Sequence, residues 1–320
     1  MSTPTAPSPW LPTAPCTPGR CAAHPGPDAP RAAAARGVLR LAAGLAAVLL
    51  GVLLAPLAAL LPPAWRLLLV RRWCRAVVRA FGVRIRVHGP AVPPGGPLLV
   101  VANHVSWLDV PLLAAVLPGR MVAKREVRGW PLLGRLAALG GTLFIDRDRL
   151  RSLPGTVGAM SCVLAGGGRV VVFPEGSTWC GRGGGAFRPA AFQSALDTGS
   201  DVQPVRIDYR PVGPAAFVGD DPLGASLWRI ARARRLVADL WILDPISSTR
   251  YPDRRALARA AEAAVHPGRQ AHPDPHPYRL LPAVPPQPTV ASDSANRPSS
   301  SVHQRASVSP ASASSLRTPS

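Results

Sequence analysis

His104 and Asp109 are the two residues of this chain best placed to do chemistry together. They lie five positions apart in Asn103-His104-Val105-Ser106-Trp107-Leu108-Asp109, directly after the apolar run Leu98-Leu99-Val100-Val101-Ala102. An imidazole can take a proton from a hydroxyl near neutral pH. A carboxylate on its other ring nitrogen fixes the tautomer and stabilises the imidazolium as it forms. If the chain turns from strand into helix between the two, their side chains meet at one locus. Alone, such a pair is more often a helix cap beside a surface histidine. The rest of the chain has to decide.

Three further blocks follow in order: Gly140-Gly141-Thr142-Leu143-Phe144-Ile145-Asp146-Arg147, then Val170-Val171-Val172-Phe173-Pro174-Glu175-Gly176-Ser177, then Val202-Gln203-Pro204-Val205. Together with the first they resemble the glycerolipid acyltransferase family (1-acyl-sn-glycerol-3-phosphate acyltransferase-like). Its signatures are an N-H-x4-D box, a Phe-Ile-acid-Arg box, an F-P-E-G box and a V-x-P-[VIL] strand. The resemblance is strong from about Leu98 to Val205 and weak from there to Asp253–Val265. It implies a membrane-bound acyltransferase taking a fatty acyl group from acyl-CoA or acyl carrier protein. The acceptor would be the sn-2 hydroxyl of 1-acylglycerol-3-phosphate and the product phosphatidic acid.

In that chemistry His104 is the general base, Asp109 orients it, and the acceptor hydroxyl attacks the thioester directly. Ser106 has no G-x-S-x-G elbow around it, so no acyl-enzyme is expected. The resemblance gives Arg147 the acceptor's phosphate, which a guanidinium fork suits by donating two parallel charge-assisted hydrogen bonds. A strand-end ion pair between Asp146 and a nearby arginine is the structural alternative at this box. Glu175 is expected to project at the strand's carboxyl end and position the acceptor, with Gly176 permitting a tight turn or close backbone approach. Asn103 and Arg188 complete the expected substrate-binding set.

Two departures from the family pattern bear on the acceptor. Ser177-Thr178 stand where the family often has Thr-Arg, and Phe187-Arg188-Pro189-Ala190 keeps a cation but loses a glycine. Arg182 and Arg188 are the candidates to replace the missing contact. These changes resemble relatives acting on other lysolipids, lyso-ornithine lipid among them, which makes such a lipid the alternative acceptor.

The chain of 320 residues carries 37 Lys+Arg against 17 Asp+Glu, a formal charge of +20, and Lys124 is its single lysine. Such a balance attracts polyanions, including anionic membrane surfaces. Zinc-finger spacing, an aromatic-basic RNA-binding box and basic-region heptads are all missing, so nucleic acid is not an expected partner. Nothing calls for an organic cofactor: there is no Walker loop and no dinucleotide fingerprint. The five cysteines form no disulfide framework. Cys16 and Cys21 lack a second ligand pair at metal spacing, so no metal is expected, and Cys180 reads as a buried or loop thiol.

Residues 1–36 are rich in Pro, Ala, Ser and Thr and are expected to be disordered. Residues 37–82 read as a membrane-associated segment. Leu41 to Leu61 runs without a charge, long enough to cross a bilayer, with Pro56 expected to break it near its end. A basic amphipathic helix follows over Ala64 to Phe81. Arg66, Arg71, Arg72, Arg75 and Arg79 after the span outnumber Arg31, Arg36 and Arg40 before it, which favours a cytoplasmic catalytic domain at the cell membrane. Residues 83–265 are the expected acyltransferase domain, an α/β fold with a mixed, largely parallel sheet covered by helices. Strands are expected at Val83–Val87, Leu98–Ala102, Met121–Ala123, Thr142–Ile145, Arg169–Phe173, Asp201–Ile207 and Leu236–Leu243. Residues 266–320 are the expected disordered tail.

Overall fold

The structure, a computed structural model, describes residues 14–22, 30–91, 95–130, 133–146 and 149–268. Arg147, residues 1–13 of the N-terminal extension and residues 269–320 of the tail lie outside them.

All seven apolar runs become strands: β1 (Val83–His88), β2 (Leu98–Ala102), β3 (Arg120–Lys124), β4 (Leu143–Ile145), β5 (Arg169–Val172), β6 (Asp201–Arg210) and β7 (Leu236–Ile242). They form one sheet in the order β1-β7-β6-β2-β5-β3-β4. Neighbours from β6 to β4 pair parallel; β7 pairs antiparallel with β6 and parallel with β1. This is the expected mixed, largely parallel sheet.

The helices are α1 (Pro18–Cys21), α2 (Pro30–Ala59), α3 (Pro63–Ala80), α4 (Asp109–Val116), α5 (Leu133–Leu139), α6 (Leu153–Ala165), α7 (Phe192–Thr198), α8 (Val212–Ala215), α9 (Leu223–Arg232) and α10 (Arg254–Val265). Side chains alternate across β2: Val100 and Ala102 join Phe81, Leu112 and Ile230 on one face. Leu99 and Val101 join Met160, Phe192 and Leu257 on the other. Helices α3, α4 and α9 therefore cover one face and α6, α7 and α10 the other. A sheet buried on both sides needs near-continuous apolar strands, and β2 and β5 have them.

Two prolines lie inside regular elements without ending them, Pro56 against expectation. Pro204 does not interrupt its strand, since β6 runs through it. The Pro204 carbonyl accepts from Leu243 N–H at 3.2 Å, so its backbone polar groups face the β7 side. The β7 ladder starts only at Val205, and the missing N–H costs no rung toward β2. Pro56 does not end its helix either, because α2 continues to Ala59. One lost hydrogen bond within a long apolar helix leaves it intact.

Helix α2 begins at Pro30, before the expected boundary at residue 37. Its start is held by Arg36, which donates to the Arg232 carbonyl at 3.1 Å, and by Arg40, which donates to those of Ala231 and Ala233. These carbonyls end α9, where cations are favoured. Helices α2 and α3 pack antiparallel through glycines: a Cβ on Gly44 would strike Phe81, and one on Gly51 would strike Trp73. Trp73 Nε1–H donates to the Ala47 carbonyl at 2.8 Å. Around this hairpin's turn Leu53, Leu57, Leu60 and Trp65 are exposed. α2 is the one helix, among the described residues, long and apolar enough to cross a membrane.

Candidate active site

β2 ends at Ala102 and the chain turns into α4 at Asp109, with the 103–108 loop at the carboxyl end of the parallel strands. Ligands of open α/β sheets bind at that end. His104 Nδ1 lies 2.8 Å from Asp109 Oδ2, so the strand-to-helix turn does bring the two together. Asp109 Oδ2 also accepts from the backbone N–H of Val105 at 2.7 Å and of Ser106 at 2.8 Å. Its Oδ1 accepts from Tyr209 Oη–H at 2.6 Å.

Four donors thus surround a fully buried carboxylate that can only accept. Burial, and then the Asp109 charge, hold the Tyr209 phenol well above its ordinary pKa, so it remains a donor. With Nδ1–H committed to Asp109, Nε2 is the ring nitrogen able to accept a proton. The imidazole stacks on Phe173, with centroids 4.1 Å apart and planes 15° from parallel. Ser106 is fully buried, and its hydroxyl accepts from Leu108 N–H at 3.3 Å.

Glu175 does not project into ligand space as expected; it is turned inward and 2 % exposed. Oε2 accepts from the His104 backbone N–H at 2.8 Å, and Oε1 from Gly185 N–H at 3.0 Å. His266 Nε2 lies 3.1 Å from the same Oε1. The carboxylate ties the His104 loop, the glycine-rich loop and the end of α10 together. Its reason for facing inward is that the N–H groups of two loops need an acceptor there.

Asn103 is likewise occupied by protein. Its Nδ2–H donates to the Ile207 carbonyl at 2.9 Å, and its Oδ1 accepts from Ile207 N–H at 2.7 Å. The side-chain amide thereby extends the β2–β6 ladder past the strand's last residue. Gly176 has φ 75°, a conformation that glycine adopts without a Cβ penalty, and its N–H donates to the Phe173 carbonyl at 3.1 Å. Arg188 is exposed, and its backbone N–H donates to the Pro174 carbonyl at 2.8 Å. Asp146 pairs with Arg125 at 2.8 Å, the strand-end ion pair weighed above.

Four site components carried no sequence signal of their own. Tyr209 comes from far along the chain, and His266 sits just past the expected domain end. Trp179 N–H donates to the His104 carbonyl at 2.7 Å, and Phe217 N–H to that of Val105 at 3.0 Å. A cavity lined by Leu67, Leu68, Arg71, Leu117 and Arg169 lies at the opposite end of β5 and α4, away from this chemistry.

Comparison with known proteins agrees with the geometry. Residues 84–208 match a family model described as Acyltransferase. A lyso-ornithine lipid O-acyltransferase of Pseudomonas aeruginosa is 42% identical over 205 residues, covering 62% of this chain and 76% of the relative. A 1-acyl-sn-glycerol-3-phosphate acyltransferase of Neisseria meningitidis is 34% identical, covering 60% of this chain and 76% of its own length. The crystal structure of the 1-acyl-sn-glycerophosphate acyltransferase of Thermotoga maritima superposes with a TM-score of 0.59 at 20% identity, covering 73% of this chain and 94% of that one, a likeness of fold. The chain belongs to the acyltransferase family that includes the lyso-ornithine lipid and 1-acyl-sn-glycerol-3-phosphate acyltransferases, and it is an acyltransferase.

Proposed function

We propose that the protein is a membrane-anchored lysolipid O-acyltransferase working by direct transfer, with His104 as general base and Asp109 as its orienting partner. The observation that carries this is the His104–Asp109 contact at 2.8 Å: three further donors fix the carboxylate, and Nε2 is left as the ring nitrogen able to take a proton. Nε2 takes the proton of the acceptor hydroxyl as its oxygen attacks the thioester carbonyl. Collapse of the tetrahedral intermediate expels the thiolate, and the imidazolium returns the proton to its sulfur. Acyl-CoA and acylated acyl carrier protein are both thioesters of the required kind.

The expected acceptor, 1-acylglycerol-3-phosphate, needs a phosphate site. Ser177 and Thr178 stand half-buried where the family pattern has an arginine. That departure, with the 42% identity to a lyso-ornithine lipid O-acyltransferase, favours lyso-ornithine lipid as acceptor. Arg147, Arg182 and Arg188 remain candidate cations for the acceptor's phosphate or, in lyso-ornithine lipid, its carboxylate. Helix α2 and the leucines around the α2–α3 turn supply the anchor, with basic α3 against an anionic bilayer surface. The arginine excess beyond the span supports a cytoplasmic catalytic domain.

The test offers lyso-ornithine lipid and 1-acylglycerol-3-phosphate side by side to membranes containing the protein, with acyl-CoA and then acyl carrier protein as donor. Transfer to lyso-ornithine lipid that His104→Ala abolishes is the expected result. Transfer to 1-acylglycerol-3-phosphate alone would overturn the acceptor and keep the mechanism.

A further inference from the structure

In sequence, Cys16 and Cys21 have no second ligand pair at metal spacing, which argues against zinc. The fold removes that reason. Sγ atoms of Cys16, Cys21 and Cys180 all lie within 4.8 Å of one another. Three thiols tetrahedrally bound to one zinc, each at about 2.3 Å, have sulfurs about 3.8 Å apart. The cluster is therefore one small contraction from a coordination shell.

We infer that Cys16, Cys21 and Cys180 form a structural zinc site that clips the N-terminal segment onto the back of the His104 loop.

The spacing Cys16-x4-Cys21 is that of a zinc ligand pair, and a third thiolate from a distant loop completes three of four positions. Water takes the fourth position. Thiolate donors select zinc or copper(I) over harder ions. The surroundings are those of a built site. Cys180 is 8 % exposed and packs with Ala216 and Val218, against which Cys16 and Cys21 also lie. Gly219 has φ 63°, and a Cβ there would sit 3.2 Å from the Cys16 carbonyl oxygen.

The thiols already differ in acidity. Burial pushes Cys16 up to about 11. Burial also acts to raise Cys180, but hydrogen bonds from Arg182 N–H, Cys16 and Cys21 outweigh it and hold that thiol below its ordinary value. Each S–H replaced by an S–Zn bond releases its proton to buffer, with no change of oxidation state.

The site's place gives it a consequence for the loop. Cys180 follows Trp179, and Ala216 and Val218 flank Phe217. Trp179 and Phe217 are the residues whose N–H groups hold the carbonyls of His104 and Val105. A metal here braces both supports of the catalytic loop from behind, outside any contact with substrate.

The full chain, purified in detergent under reductant and without chelator, is dialysed against zinc, and bound metal is measured by mass spectrometry. About one zinc per chain is expected, falling to near none in Cys16→Ser, Cys21→Ser and Cys180→Ser but unchanged in Cys162→Ser. Cobalt should give thiolate charge-transfer absorption in the wild type that the three variants lose. In unmutated protein, where misfolding is no concern, zinc should block alkylation of Cys16, Cys21 and Cys180 while exposed Cys162 reacts freely. Wild-type protein that takes up no zinc overturns the inference. So does zinc retained by all three variants, or a Cys16–Cys21 disulfide that forms and leaves Cys180 alkylatable in the presence of zinc.

Discussion

Among the described residues two histidine–aspartate pairs have nearly the same geometry, and they differ in what else surrounds the carboxylate. His104 lies 2.8 Å from Asp109, and His88 lies 2.7 Å from Asp239. Each aspartate is fully buried, and each imidazole stacks on an aromatic ring, Phe173 at 4.1 Å and Trp241 at 4.2 Å. The difference is in what else the carboxylate holds. Asp239 also takes Arg210, whose Nη2 is 2.6 Å from Oδ2. Asp109 takes a phenol and two backbone N–H groups, all neutral.

A guanidinium on the carboxylate satisfies its charge whether or not the histidine is protonated. Neutral donors fix the carboxylate in place and leave its charge to the imidazolium. Location points the same way: His88 ends β1 at the sheet's margin, whereas His104 sits beyond the carboxyl ends of β2 and β5. A His–Asp contact is thus not evidence of catalysis until the carboxylate's remaining partners are counted.

The largest break in this comparison comes from the base itself. His104→Ala should lower acyl transfer by about 10²–10⁴-fold, the usual worth of a general base, with folding kept. Asp109→Asn places an NH₂ among four donors, so both turnover and thermal stability should fall. Tyr209→Phe leaves Asp109 Oδ1 short of a buried partner at a cost of about 1–3 kcal/mol. The rate should drop by up to about a hundredfold, with a lower Tm in the same preparation. His88→Ala should leave kcat and KM unchanged and lower only Tm.

The smallest effect is on acid stability. At Asp239, burial acts to raise the pKa, but the hydrogen bonds from His88 and Arg210 outweigh it and leave it lowered. Stability from this group is therefore complete above the ordinary carboxylate value of about 3.9 and is lost as pH falls from there through the lowered value. Asp239→Asn should flatten that part of a Tm-against-pH curve; an unchanged curve would remove Asp239 from the acid response.

The strands were legible because each is a short apolar run closed by turn residues, and His104–Asp109 because the two interact across five positions. What escaped was orientation and distance. Asn103 and Glu175 stand in the right boxes, yet both face protein backbone, and no pattern in sequence says which way an amide or carboxylate turns. Helix α9 starts from Pro222 without a polar cap and becomes readable only once α2 lies against it. Tyr209, His266 and the partnership of Cys180 with Cys16 and Cys21 depend on contacts made by the fold. Pro56 reads as a break because a proline's local cost is visible in sequence, while the packing that makes it harmless is not.

The most direct test sets the two pairs against each other in one assay. Membranes carrying wild type, His104→Ala and His88→Ala at equal protein level are given acyl-CoA with lyso-ornithine lipid or 1-acylglycerol-3-phosphate, and initial rates are compared. The account predicts wild-type rates for His88→Ala and near-complete loss for His104→Ala. Equal losses in both, or activity surviving in His104→Ala, would contradict it.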